Sequence, residues 1–239
     1  MDVFLAGEAL AAGEITRYGL AVDFRRVLPG VYAPKRAHLS LNDRIRAAWL
    51  WSRRLGVISG WAASALHGAN WVDPTYPIEL NFAHNKTPTG VIARRDSLVD
   101  DEITHRLGMA VTTVERTAFD LARRDSVGRA VERLDALARA THVKAADVLA
   151  VADRHPHVRG RRRVPVVLAM VDEGAQSPKE TWLRLLLIDA GFTRPQTQIP
   201  VLAPDGYPQY YLDMGWPDVM VAVEYDGEQH RSRQQAVPG

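Results

Sequence analysis

Apolar and polar positions fall into blocks along this chain, and the period of the blocks changes several times. Phe4–Ala12 reads as a helix stopped at Gly13, with further short helical turns at Ile15–Tyr18 and Val22–Arg26 around Gly19. Val27-Leu28 and Val31–Pro34 read as two short strands around a Pro29-Gly30 turn. Asn42–Gly56 places Ile45, Ala48, Trp49 and Leu55 at helical spacing, and Ser59–His67 follows as a second helix ended by Gly68. Pro77–Phe82 and Gly90–Ala93 read as strands. Val111-Thr112-Thr113 leads into a helix over Glu115–Arg123, and Val127–Ala140 and Ala145–Ala152 continue the helical region.

Arg154–Arg163 breaks the pattern with His155, Pro156, His157 and Gly160, and reads as a connector. Val164–Val171 then starts a helical stretch. The clearest helix opens at Ser177, which suits the N-cap, with Pro178 in the first turn and Gly191 as its stop. Trp182, Leu183 and Leu185–Ile188 make most of that helix apolar, which predicts that it is buried. Three strand-like runs follow: Thr197–Leu202, Gln209–Met214 and Val219–Tyr225, with turns at Pro204-Asp205-Gly206 and Gly215–Asp218. The last run is nearly all apolar and reads as a central strand.

Composition narrows the class. At 46% hydrophobic and 24% charged over 239 residues, the chain reads as one or two globular domains and not as a disordered polymer. With no cysteine, a disulfide framework, a thiol nucleophile and a cysteine-ligated zinc are excluded. No apolar run approaches the roughly 18–20 residues a spanning helix needs, and the first residues do not read as a signal peptide. The expectation is a cytoplasmic protein with no membrane partner. The net charge of +2 is a cancellation: residues 1–165 carry +7 and residues 166–239 carry −5. A basic front suits a polyanion and an acidic back suits a metal ion.

Candidate chemistry sits in both halves. Short helices followed by a hairpin suggest a winged helix-turn-helix, with Arg17, Arg25 and Arg26 placed to touch phosphates. Arg159, Arg161, Arg162 and Arg163 form a basic knot that suits either a nucleic-acid backbone or a solvated linker. At the C-terminal end, a helix followed by an antiparallel meander brings Asp213, Glu224 and Asp226 toward one sheet edge. Carboxylates at the end of an apolar strand are expensive without a partner, and a divalent cation is one explanation. Mg²⁺ suits one or two carboxylates plus waters and phosphate oxygens. His230 would then handle protons. Glu180 stands three residues after Ser177, so a capping box and a place in the acidic site are both open to it. His67 and His84 lack a metal-spaced partner and read as packing or surface histidines.

Two runs carry a family resemblance. Ser177-Pro178-Lys179-Glu180-Thr181, Gln198, Leu212-Asp213 and Val223-Glu224-Tyr225-Asp226-Gly227-Glu228-Gln229-His230 resemble the Vsr-related domain of the PD-(D/E)xK nuclease superfamily. Gly30-Val31-Tyr32, Ala65-Leu66-His67-Gly68 and Val111–Ala122 resemble the AbiEi-type antitoxin architecture, in which a winged helix-turn-helix precedes a mixed α/β domain. The first resemblance implies a Mg²⁺-dependent endonuclease site, with Asp213 and Glu224 as metal ligands and Glu180 as the acidic helix position. Asp226 stands where the superfamily's lysine usually stands, and Gln229-His230 match its trailing pair. The second implies a DNA-binding repressor with a possible cognate toxin as partner. Only nine residues follow His230, where the family continues with a helix, a strand and a helix; the expectation is a truncated nuclease domain.

The expected organisation is α+β. It comprises a winged helix-turn-helix over residues 1–38, a mixed α/β domain over 39–153, a basic linker and helix over 154–174, and a restriction-endonuclease-like α/β/α domain over 175–239 that lacks its last elements.

Overall fold

A computed structural model of the chain describes residues 3–225. It is a mixed α+β structure. At the N-terminal end, β1 (Phe4–Leu5), α1 (Ala6–Ala11), α2 (Arg17–Asp23), β2 (Phe24–Leu28) and β3 (Val31–Pro34) form a small unit around an antiparallel sheet of order β1-β3-β2. Two expectations are corrected here. Phe4 and Leu5 do not belong to the first helix, because they pair with Tyr32 and Val31. Phe24–Arg26 is not a helical turn, because Phe24, Arg25 and Arg26 pair with Pro34, Ala33 and Tyr32. Val31 and Ala33 alternate inward, against Val3 and against Ala47 and Leu50 of α3 (Leu41–Trp51). Ser40 and Asp43 close a full capping box on that helix.

The opposite side of α3 packs on a five-stranded sheet. Its strands are β4 (Val57–Ser59), β5 (Ile78–Asn81), β6 (Val91–Arg94), β7 (Ile103–Arg106) and β8 (Met109–Thr112), in the order β6-β5-β4-β8-β7. The pairs β4–β8 and β5–β6 are parallel, and the others are antiparallel. Ile45, Ala48, Ile58, Leu80 and Val111 form its core together with Ala62 and Ala63 of α4 (Gly60–Leu66). Helices α5 (Val114–Arg124), α6 (Val127–Thr141), α7 (Ala145–Arg154) and α8 (Val164–Met170) build a second core around Phe119, Leu121, Leu134, Leu137 and Val164. The segment expected as a linker is therefore packed: His155 is buried and stacks on Phe119, and Val164 and Val167 of α8 lie in the core.

The C-terminal part consists of α9 (Pro178–Asp189) and an antiparallel meander of β9 (Gln196–Leu202), β10 (Pro208–Trp216) and β11 (Val221–Val223), in the order β11-β10-β9. Helix α9 is not buried by its apolar residues. Its buried side chains are Glu180, Thr181 and Arg184, while Trp182 and Leu186 are exposed. Nor is β11 central: it edges its sheet among the described residues, and it is shorter than expected because Met220 takes a left-handed conformation. Val219, Met220 and Val221 are exposed. Among the described residues no helix is long and apolar enough to cross a membrane.

Candidate functional site

The acidic constellation starts from the N-terminus of α9. The Ser177 side chain accepts the backbone N–H of Glu180 at 3.2 Å, and Pro178 fills the first turn without leaving a donor unpaired. The Glu180 carboxylate answers by accepting the Gln176 N–H at 2.8 Å and the Ser177 hydroxyl at 2.9 Å. Burial pushes the Glu180 pKa up; the two bonds oppose this, and the nearby Asp213 charge adds to the rise. Glu180 is thus a cap that also feels Asp213.

Asp213 lies in β10, beside the fully buried Met214. Met214 pairs with Val223, so one further step along the antiparallel register sets Glu224 opposite Asp213, on the same face of the sheet. The Tyr225 backbone N–H donates to Asp213 Oδ2 at 2.9 Å, which ties the end of β11 back onto β10. Lys179 Nζ stands 6.0 Å from the Tyr225 ring centre. Sequence reasoning passed over Lys179; its place next to Glu180 in the cap was the available signal. The structure therefore sets Asp213 opposite Glu224 and within electrostatic reach of Glu180, with Lys179 near the Tyr225 ring. Among the described residues, no three acidic or histidine side chains are grouped closely enough to hold a metal ion. Asp226 and His230 lie outside the described residues.

The basic candidates divide. Arg17, Arg25 and Arg26 are all exposed. Arg25 donates to the Ala37 carbonyl at 3.1 Å, and as neighbours in one strand Arg25 and Arg26 point to opposite faces. In the basic knot, Arg161 is held by the Ala152 carbonyl at 2.9 Å and by Asp153 at 2.7 Å. Arg163 donates to the Arg123 carbonyl at 2.7 Å. Arg159 and Arg162 are exposed. Gly160 explains how the knot comes so close to α5. Its φ of +86° is left-handed, and a Cβ there would stand 2.1 Å from the Arg123 carbonyl oxygen.

The two expected packing histidines are placed as follows. His67 is buried with Nε2 2.8 Å from the Thr112 carbonyl, and burial lowers its pKa. His84 lies against Trp51 and Phe82.

A buried network of charges runs through the middle of the molecule, and no motif announced it. Arg116, with no exposed surface, reaches Glu102 at 2.5 Å and Asp120 at 3.2 Å, and His155 Nε2 meets Glu102 at 2.8 Å. Arg123 bridges Asp120 and Asp96, each at 2.7 Å. Arg124 bridges Asp96 at 2.7 Å and Glu79 at 3.1 Å, and Arg94 reaches Glu79 at 2.9 Å. Burial works against the Asp96 carboxylate, but Arg124 and Arg123 outweigh it and hold its pKa below the ordinary value. The signal was indirect: Arg116, Asp120, Arg123 and Arg124 recur at helical spacing in α5, a helix otherwise buried.

Two curated relatives resemble this chain over most of its length. They are the uncharacterized proteins MT2308, from Mycobacterium tuberculosis strain CDC 1551 / Oshkosh, and Rv2248, from strain ATCC 25618 / H37Rv. Each is 32% identical over 211 residues, covering 84% of this chain and 73% of the relative. The chain belongs to the family of these mycobacterial proteins. No protein-family model matches it. The relatives' names state no activity, so a functional reading of this family rests on the chemistry of the residues above.

Proposed function

We propose that this protein binds DNA and carries a Mg²⁺-dependent, endonuclease-like site in its C-terminal part. The observation that carries the reading is the tie between Asp213 and the Tyr225 N–H, which sets Asp213 across from Glu224 with Glu180 beside it. Helix α9 followed by an antiparallel meander supports an assignment to the PD-(D/E)xK-like fold. The donor set fits a hard cation: the side chains are carboxylates, with neither sulfur nor imidazole among the described members. Asp213 and Glu224 would hold the ion, and Asp226 would join them. When bound, Mg²⁺ polarises a phosphodiester oxygen and lowers the pKa of a water. Glu180 caps the start of α9 within electrostatic reach of Asp213. Lys179 brings a positive charge to the corner where a phosphate would sit, and His230 would move the proton. The direct test is incubation with supercoiled plasmid, with and without Mg²⁺. Nicking that needs Mg²⁺ and disappears in Asp213→Ala is expected; cleavage that survives Asp213→Ala sinks the reading.

A second reading has its own support. Both Glu180 oxygens are engaged in the cap and one Asp213 oxygen is taken by Tyr225, so among the described residues of the site Glu224 is the carboxylate with no hydrogen bond. That favours an AbiEi-like repressor and antitoxin with a vestigial nuclease unit and a toxin partner. Here α1, α2 and the β2–β3 hairpin are the winged helix, and Arg17, Arg25 and Arg26 meet phosphates. A mobility shift on the DNA upstream of the protein's own reading frame, weakened in Arg25→Ala/Arg26→Ala, with no plasmid nicking, is the outcome this reading requires.

A further inference from the structure

The buried network has an open face. An open cleft of about 770 Å³ lies between α5, the strands β5 and β6, and the turn Arg159–Arg163. Its floor is balanced. Arg94, Arg123 and Arg124 are paired with Glu79, Asp96 and Asp120, three charges of each sign. A fourth carboxylate in the wall, Asp125, is turned to Arg133, which does not line the cleft.

The rim is not balanced. Arg95 donates to the Asn85 side chain at 2.6 Å and to the His84 carbonyl at 3.2 Å, both neutral. Arg163 is held by the Arg123 carbonyl, also neutral. Arg159 is exposed at the cleft. Among the described residues, none of these three arginines is paired with a carboxylate. The cleft therefore presents three uncompensated guanidinium groups above a neutral, hydrogen-bonded base.

The geometry points to this cleft as a site for the phosphate backbone of DNA. The reasoning rests on the proposal that the protein binds DNA, and it places that contact away from the hairpin. Small-ligand pockets are mostly apolar with a few polar anchors, whereas this one is lined chiefly by charged side chains. Guanidinium groups match phosphate oxygens through their fixed forks of donors. The rim arginines come from two separate segments, one after β6 and one before α8, along a trough open to solvent. A single phosphate needs its donors convergent on one point; a backbone runs past several. The paired floor holds the cleft walls fixed, and its own arginines are already saturated by carboxylates. Gly160 lets the turn approach α5 closely enough to complete the rim. The knot is thereby sorted: Arg159 and Arg163 face the cleft, and Arg161 is consumed by Asp153.

The test is fluorescence anisotropy of a labelled DNA duplex titrated with the full chain across a salt series. The variants are Arg159→Gln/Arg163→Gln, Arg95→Gln/Arg159→Gln and, at the hairpin, Arg25→Gln/Arg26→Gln. Each cleft pair should reduce the slope of log affinity against log salt by about 2, because every phosphate left unneutralised keeps its counterion. Arg163 also bonds the Arg123 carbonyl, so a thermal melt accompanies its variant; if that protein is misfolded, the Arg95/Arg159 pair decides. Cleft variants with the wild-type slope, alongside a hairpin variant that loses it, overturn the cleft and leave DNA binding standing. A wild-type chain without salt-dependent DNA binding overturns both. Saturable binding of ATP abolished by the cleft substitutions, with an unchanged DNA slope, assigns the cleft to a small phosphate ligand and overturns the inference.

Discussion

Arg184, without exposed surface, donates to Asp135 Oδ2 at 2.6 Å, so the C-terminal helix is held to the rest of the molecule by a buried ion pair. Thr181, one turn earlier on the same face of α9, donates to the same oxygen at 2.7 Å, and the Asp172 N–H donates to the other at 2.8 Å. The fully buried contacts of α9 are polar; of its apolar residues Leu185 packs on the helical core, while Trp182 and Leu186 face outward.

Breaking that pair from one side is expected to be expensive. Asp135→Ala leaves the Arg184 guanidinium buried without a counter-charge, a loss of about 3–5 kcal/mol. Replacing both partners, as in Asp135→Leu/Arg184→Met, should recover most of it, because no charge is then left stranded. Urea midpoints of the three proteins measure this; a double variant no better than the single one contradicts it.

The same carboxylate sets a pH dependence. Burial raises the Asp135 pKa from 3.8 to about 6, against the opposing pull of Arg184. The folded state therefore binds the proton more tightly than the unfolded state, and stability falls as pH rises from about 4 to about 6. Asp125, Glu132 and Glu180 are shifted the same way by burial, and Asp96 the opposite way. For Asp96 the contribution is present above its unfolded value and lost as pH falls through its lowered folded value. Buried His67 and Asp96 work the other way, so the measurement is a difference: in thermal melts over this range the stability of wild type relative to Asp135→Asn should decline as pH rises.

Gly160 admits no side chain. A methyl group there combines a left-handed backbone with a contact of 2.1 Å to the Arg123 carbonyl oxygen. Gly160→Ala should cost at least about 2 kcal/mol. Gly206 also has a positive φ but has open space around its Cβ position, and Gly206→Ala should cost less. Equal melting shifts for the two would refute the steric argument.

The outward face of α9 makes the opposite prediction. Trp182 is 54% and Leu186 48% exposed, so Trp182→Gln and Leu186→Gln should each change stability by no more than about 1 kcal/mol. A buried apolar helix would lose about 3–5 kcal/mol on truncation at such positions.

This helix also marks where sequence reading stopped. Its limits were legible, because Ser177, Pro178 and Gly191 punctuate it. Its orientation was not, because a helix apolar on nearly every side says nothing about which side meets the protein. The β2–β3 hairpin followed from Pro29-Gly30, but Phe24–Arg26 joined the strand through pairing with β3 that no local pattern encodes. Strands β4 and β7 were missed; runs of three or four residues give too few repeats to reveal a period. At the candidate site, Asp213 and Glu224 were legible as acidic residues in apolar strands, while the bond from Tyr225 to Asp213 emerged only from the register of the meander. The charged floor of the cleft was hidden because Glu79, Asp96 and Asp120 come from three distant segments.

In that floor, each of Glu79 and Asp96 serves two arginines, Arg123 serves two carboxylates, and Arg124 serves three. Exchanging any member takes a counter-charge from at least one other. Across a lineage such a set is inherited as a block: descendants keep all six residues, or replace them together with neutral ones. Single replacements should be rare, and where one has occurred its partner should have changed too.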